Sequence, residues 1–175
     1  MVHRIREKPH ILLENPSEKV GIVAFSFGLR ATDEEPNPCN RRLAEETFRI
    51  ATSLSFPVYI VSQWEITRAL NELGMPPSLS VEMTPEKYLD SEGVMDVAAT
   101  FFKSNGITSV IPIAHPFLHG TKCRRLVVEH GFKLIKRDIR KIGFDRKSLQ
   151  PYTRGPLQLL LYAIRQKLFG HRGTK

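Results

Sequence analysis

Residues of types that can do chemistry follow four apolar stretches of the chain. They are Gly28 with Arg30, Ser62, Glu82 and His115. Because the carboxyl ends of parallel strands meet at one edge of a sheet, we expect all of them at that edge. A histidine and a carboxylate there can act as general acid and base, so His115 and Glu82 are the catalytic candidates. A lone histidine after a strand is equally typical of polar packing.

A glycine followed by arginines suggests a site for an anion. Gly28 permits close approach of the backbone, Arg30 comes two residues later, and Arg42 opens the next predicted helix. N–H groups at the start of a helix attract phosphates and carboxylates. The pattern is neither a dinucleotide fingerprint nor a Walker loop. A glycine in a tight turn with surface arginines is therefore the alternative interpretation.

A serine and a glutamate follow the second apolar stretch. Ser62 ends the predicted strand and Glu65 opens the helix after it. A carboxylate at this position can accept a hydrogen bond from a ribose hydroxyl, so both residues are candidates for ligand binding. Glutamates at helix starts also complement the helix dipole without binding anything. Cysteine, histidine and aspartate residues lack metal-type spacing, so no structural zinc is predicted.

The elements that would position these residues alternate between strand and helix. Strands are predicted in residues 20–30, 57–62, 79–82, 109–114 and 132–135, and helices in 40–53, 64–73, from 85 or 89 to 104, 121–130 and 156–169. This alternation predicts an α/β fold, a Rossmann-like three-layer sandwich whose mostly parallel sheet of about five strands has helices on both faces. Residues 1–19 are predicted as an N-terminal arm, 20–170 as one domain and 171–175 as a basic tail.

Three local features bear on these predicted strands and helices. Asn40 is the expected N-cap of the first helix, after a long polar loop over 31–40. Pro112 inside the fourth strand is an objection, because proline lacks the N–H group that a central strand donates. The fifth strand is expected to be more exposed than the others and therefore to lie near an edge of the sheet.

The charge of the chain is concentrated at one end. Residues 1–132 carry a net charge of −2, whereas residues 133–175 carry +10. Such asymmetry indicates an anionic partner, nucleic acid or an acidic lipid surface, although a solvated basic tail is the simpler alternative. The final helix has an apolar stripe, which we expect to pack on the sheet. The stripe consists of Leu157, Leu160, Leu161, Ile164 and Leu168.

Composition points to a soluble, cytoplasmic protein. The two cysteines show no pattern of paired or metal-binding residues, which favours a reducing compartment. No apolar run approaches the length of a membrane span, and the basic N-terminus is not followed by the apolar region of a signal peptide.

The order of these features resembles a family of bacterial domains. The matching positions are 20–28 with Arg42-Leu43, Ile60-Val61-Ser62 with Glu65, Gly74-Met75-Pro76 with Glu82, and 90–94 leading to 110–115. Together they are similar to the domain of unknown function typified by SanA, ElyC and YdcF, over roughly residues 20–168. The family's Gly-Gly after the second strand is Gln63-Trp64 here, and its arginine after the fourth strand is Leu118.

The resemblance implies a Rossmann-like fold and a small nucleotide-like ligand such as S-adenosylmethionine. The family's Thr-x-Glu-Asn-Ala signature corresponds to residues 90–94, which keep the glutamate, so the resemblance adds Glu92 to the ligand-binding candidates. Two functions follow as hypotheses. One is binding of an anionic or nucleotide-like small molecule at the carboxyl edge of the sheet; the other is a non-catalytic module whose basic C-terminal quarter binds nucleic acid or acidic membrane.

Overall fold

A single parallel sheet organises the protein. The computed structural model describes residues 19–30, 37–83 and 89–169. The sheet has five strands in the order β3-β2-β1-β4-β5, all parallel. The strands are β1 Val20–Ala24, β2 Val58–Gln63, β3 Leu79–Val81, β4 Ser109–Ile113 and β5 Lys133–Leu134. This confirms the predicted Rossmann-like α/β fold and the edge position of the fifth strand.

Helices cover both faces of the sheet. They are α1 Pro38–Thr52, α2 Trp64–Glu72, α3 Ser91–Ser104, α4 Leu118–Glu129 and α5 Pro156–Phe169. α1 and α2 contribute to the apolar cluster on one face, and α3 and α4 to the cluster on the other. β1 lies between the two clusters, and its side chains alternate between them, so the strand is buried throughout. This explains its continuous apolar sequence.

The first helix begins earlier than predicted. α1 starts at Pro38, and Asn37 is its N-cap, with the Asn37 side chain accepting a hydrogen bond from the Asn40 backbone N–H. Assigning the cap to Asn40 was therefore wrong. Proline in the first turn lacks an N–H that would have no partner there, so Pro38 favours the earlier start. Residues 31–36 of the predicted loop lie outside the described residues.

Two further helix starts differ from prediction. α4 begins at Leu118 rather than at residue 121, which puts His119 and Gly120 inside the helix. α3 begins at Ser91, where the Asp90 side chain accepts hydrogen bonds from the N–H groups of Glu92 and Gly93. An aspartate cap of this kind fixes the start of the helix. Residues 84–88, part of one predicted start, lie outside the described residues.

Pro112 fits the sheet because β5 is short. The Ile113 carbonyl accepts from Phe25 beyond β1, and the Val110 carbonyl accepts from Ile135 beyond β5. Since successive residues of a strand point their backbone groups to opposite sides, Pro112 faces the β5 side. β5 ends at Leu134, which pairs with Val110, so the ladder between β4 and β5 stops at the N–H group that Pro112 lacks.

The packing of α5 contradicts the prediction made for it. Of the residues in this helix whose burial the structure describes, Leu159 alone lies in the buried core, with Tyr162 packed partly against that core. The five residues of the predicted packing stripe are instead 42–70% exposed. α5 therefore rests on the domain through its opposite side, and its apolar stripe faces solvent. Among the described residues, every helix is too short or too polar to cross a bilayer.

Replacing Gly21 by alanine tests the packing of β1 beneath α3. A Cβ at Gly21 would lie 2.8 Å from the buried ring of Phe102. We expect G21A to lower the free energy of unfolding by about 2 kcal/mol, because the ring must shift within a filled core. G143A is the matched control, since a Cβ at Gly143 meets nothing within 4 Å. Urea unfolding compares the two, and a G21A protein as stable as G143A would contradict this packing.

Candidate functional site at the carboxyl edge of the sheet

The order of the strands places a crevice between the carboxyl ends of β1 and β4. From β1 the chain moves outward to β2 and β3, and then returns to β4 on the other side of β1. In open parallel sheets, ligands bind where the strand order reverses in this way. Gly28, Ser62, Glu82 and His115 each lie at or beyond the carboxyl end of a parallel strand.

The chain itself occupies this crevice at the end of β1. The backbone of Phe27 exchanges hydrogen bonds with the side chains of Asn37 and Asn40, and Asn40 also donates to the Gly28 carbonyl. The Leu29 N–H donates to Ser148 Oγ at 3.2 Å, and the Leu29 carbonyl accepts from the backbone of Leu149 at 2.7 Å. Buried backbone groups require such partners. Here the start of α1 and the connection before α5, residues 135–155, supply them.

Gly28 is explained by these contacts. Its φ of 87° lies in the region that favours glycine. A Cβ at this position would lie 2.9 to 3.0 Å from Thr153, Asn37 and Ser148. The close approach that the sequence assigned to a ligand is therefore made by the protein's own side chains.

The predicted anion-binding arginines both pair with carboxylates. Arg30 donates to Asp145 through Nε at 2.8 Å, and the Asp145 side chain is 4% exposed. The hydrogen bond from Arg30 holds the pKa of Asp145 below its ordinary value. Arg42 lies on the exposed surface of α1, where it pairs with Glu45 at 2.9 Å. Arg30 thus fastens the segment around residue 145 to the end of β1.

His115 is held as a packing residue. Its ring is 1% exposed and stacks on Phe27 with the centroids 4.1 Å apart. Nε2 lies 3.1 Å from the Gly143 carbonyl, and Nδ1 lies 3.4 Å from the Phe117 backbone N–H. Burial lowers the pKa of His115, so the neutral ring donates from Nε2 and accepts at Nδ1. To act as a base, His115 would have to give up its hydrogen bond at Nδ1, and to act as an acid, the one at Nε2.

His119 completes an aromatic cluster over the same crevice. Its ring lies 5.6 Å from Phe27, and its Nε2 is 3.0 Å from Ser91 Oγ. Burial lowers the pKa of His119 to about 3, so the ring is neutral at ordinary pH. Phe144 packs against both Phe27 and His115. Aromatic rings therefore fill the space between the ends of β1 and β4.

Ser62 and Glu82 are joined by a chain of hydroxyl groups. Ser62 Oγ lies 2.7 Å from Thr67 Oγ1, which lies 2.9 Å from Ser80 Oγ. Ser80 in turn donates to the exposed Glu82 carboxylate at 2.6 Å. Because the carboxylate can only accept, the other hydroxyls donate in the same direction. This chain links β2, α2 and β3 and leaves Ser62 fully buried.

Glu65 is the predicted site residue with spare hydrogen-bonding capacity. The residue is 8% exposed, and Oε2 has no hydrogen-bond partner among the residues that the structure describes. Burial raises the pKa of Glu65 to about 7, although its own backbone N–H, Ser26 and the charge of Arg68 oppose the shift. A carboxyl group titrating near pH 7 can exchange a proton or accept one from a ligand hydroxyl.

The Gln63 side chain bridges Ser26, beyond the end of β1, and Leu89, just before α3. Its side-chain oxygen accepts from the Ser26 backbone N–H at 3.1 Å, and its amide donates to the Leu89 carbonyl at 3.2 Å. The predicted ligand residue Glu92 lies farther along, exposed and paired with Lys122 at 3.2 Å. Ser26 and Gln63 were missed by sequence reasoning. Their polar side chains next to a strand end were the available signal.

No group of metal-ligating side chains is present in the described part of the chain. Both cysteines are buried and unpaired. Burial raises the pKa of Cys39 to about 11 and that of Cys123 to about 12. Cys39 donates to the Gly143 carbonyl at 3.2 Å, another contact from α1 to the connection before α5. These thiols are therefore protonated and unreactive in the folded protein.

Comparison with known proteins adds little to this description. No family model and no curated protein sequence matches the chain. Among solved structures, similarity extends to pyruvate carboxylase from Rhizobium etli, at 16% identity over 69% of this chain and 11% of that one, with a TM-score of 0.37. The glycotransferase of kitacinnamycin shares 13% identity over 87% of this chain and 36% of that one, with a TM-score of 0.37.

Glycinamide ribonucleotide transformylase 1 from Symbiobacterium toebii shares 12% identity, with a TM-score of 0.31. The alignment covers 66% of this chain and 61% of the transformylase. The chain thus spans less than two thirds of the length of each of these structures. Their activities carry no argument about this protein.

The pH dependence of stability tests the environment of Glu65. Between pH 4.5, its ordinary pKa, and about 7, the folded state holds a proton that the unfolded chain has released. The contribution of Glu65 to the free energy of unfolding is therefore complete below pH 4.5 and is lost as the pH rises through about 7. We expect E65Q to be more stable than wild type at pH 8 by roughly 2 kcal/mol, with the difference shrinking towards pH 5.

Urea unfolding at pH 5 and pH 8 measures this difference. E72Q is the matched control, because Glu72 is an exposed glutamate of the same helix, paired with Arg41. Its effect at the two pH values is the baseline with which the effect of E65Q is compared. A pH-independent effect of E65Q would show that the Glu65 carboxyl ionises normally.

Proposed function

We propose that this protein binds a nucleotide-like small molecule at the carboxyl edge of its sheet, with a ligand hydroxyl donating to Glu65. The observation that carries the proposal is that Oε2 of this buried carboxyl group has no hydrogen-bond partner in the described part of the chain. A buried polar atom without a partner costs free energy that a bound hydroxyl would recover. In sheets of this strand order, an acidic residue after the second strand is where ribose hydroxyls are bound.

The first turn of α2 supplies two further groups of the required chemistry. Trp64 lies one residue before Glu65, and Arg68 lies three residues after it. The Arg68 guanidinium lies 4.6 Å from the centre of the Trp64 ring. An indole ring can stack on a base, and a guanidinium can bind a phosphate. We assign the anionic part of the ligand to Arg68, because its guanidinium lies beside the Trp64 ring on the same helix as Glu65.

Membership of the SanA, ElyC and YdcF family is likewise a proposal, supported by the order of residues along the chain. S-adenosylmethionine remains a ligand that this resemblance implies. It carries the ribose hydroxyls that the Glu65 site requires. The proposal concerns binding and assigns no reaction.

Calorimetric titration with adenosine, AMP, S-adenosylmethionine and adenine tests the proposal. We expect adenosine and AMP to bind and adenine, which lacks the ribose hydroxyls, to bind more weakly. E65Q should weaken adenosine binding about tenfold, because a charged hydrogen-bond acceptor is replaced by a neutral one. R68Q should weaken AMP binding more than adenosine binding.

E72Q again serves as the control, since it removes a glutamate charge from the exposed end of the same helix. Its affinities should equal those of wild type. Unchanged adenosine binding by E65Q would remove Glu65 from the site. Absence of binding by all four compounds would refute the nucleotide-like ligand.

A further inference from the structure

We propose that α5 lies on an acidic lipid surface, with its exposed apolar stripe inserted into the interface and its flanking cations on the headgroups. This surface is separate from the Glu65 site. The proposal does not depend on the ligand proposed there.

The exposed side of α5 is apolar along the whole helix. Its five large residues recur at helical spacing, so they form one continuous stripe. Each is 42–70% exposed, and Leu168 is the most exposed of them. The helix is about 21 Å long at 1.5 Å per residue. Such an unbroken stripe is more than the scattered apolar residues of an ordinary protein surface, and it marks an interaction site.

The opposite side of α5 is anchored to the domain. Leu159 is 6% exposed, and the Tyr162 ring stacks on Tyr152 with the centroids 4.2 Å apart. The Gln166 side chain donates to the Tyr162 hydroxyl. Because this side already packs, the stripe is held outward by the fold.

Cations border the stripe on both sides. Arg165 and Lys167 are exposed, and at 100° per residue they lie about 80° to either side of the centre of the stripe. No acidic residue follows Asp145 in the sequence, so α5 contains none. An apolar face bordered by lysine and arginine is typical of helices that lie in the interface of anionic membranes.

Charge also distinguishes the lipid surface from a second copy of the chain. Residues 146–175 carry seven lysines and arginines and no acidic residue. Two copies meeting through α5 would bring Arg165 and Lys167, which border the stripe, close to the same residues of the other copy, which disfavours the contact. Anionic lipids would instead neutralise them. Nucleic acid would also do so, but it offers nothing that covers five leucine and isoleucine side chains.

Vesicle co-sedimentation of the 175-residue chain tests the proposal. The vesicles contain phosphatidylcholine alone or phosphatidylcholine with phosphatidylserine. Binding is measured at roughly 0.1 M and at roughly 0.5 M salt, and at the higher concentration the screening length falls to a few ångströms. We expect binding to the acidic vesicles that weakens but persists at the higher salt, because insertion of the stripe is not screened. Binding to phosphatidylcholine alone should be weaker.

Two variants separate insertion from simple charge attraction. L161Q/I164Q removes apolar groups from the stripe and should lower binding at the higher salt by about tenfold or more. R165Q/K167Q should weaken binding mainly at low salt. V128Q is the control, because Val128 is an equally exposed apolar residue on α4, and it should bind as wild type does.

Three results would overturn the proposal. The first is no binding to acidic vesicles. The second is binding that disappears at the higher salt and is unchanged in L161Q/I164Q, which would mean charge attraction alone. The third is light scattering showing a dimer that L161Q/I164Q dissociates, without vesicle binding, which would assign the stripe to a second copy.

Discussion

The structure depends on how the backbone after β1 finds its hydrogen bonds. Phe27 and Gly28 have left the sheet but remain buried. Their polar groups, and those of Leu29, are satisfied by Asn37 and Asn40 at the start of α1 and by residues 148 and 149. A buried backbone without partners would be unstable. The connection before α5 must therefore lie across the end of β1, and the Arg30–Asp145 ion pair secures it there.

This arrangement divides the carboxyl edge of the sheet into two halves. Over β1 and β4, where such folds bind ligands, the space is taken by the chain's own backbone and by the rings of Phe27, His115 and Phe144. Over β1 and β2, Glu65 keeps an oxygen without a partner among the described residues. We therefore place the proposed ligand at the start of α2 rather than in the crevice. The same connection ends in α5 and holds it with its apolar stripe outward.

Local patterns predicted the sheet, since a buried strand such as β1 and the glycine that closes a helix are visible within a few residues. They also placed Glu65 at the carboxyl edge. They did not predict what fills the crevice, because the contacts of Leu29 with Ser148 and of Arg30 with Asp145 join residues 119 and 115 positions apart. For α5, apolar residues occur on both sides of the helix. The sequence shows the stripe, but Leu159 and Tyr162 decide which side packs.

The rate at which Cys39 reacts with a thiol reagent tests most directly whether the connection covers the end of β1. Cys39 is 2% exposed and donates to the Gly143 carbonyl, so reagent reaches it only when that segment lifts. Wild-type Cys39 should react far more slowly than a free thiol. D145N should accelerate Cys39 and leave Cys123, buried under the other face, unchanged. Reaction of wild-type Cys39 at the rate of a free thiol would contradict the closed crevice.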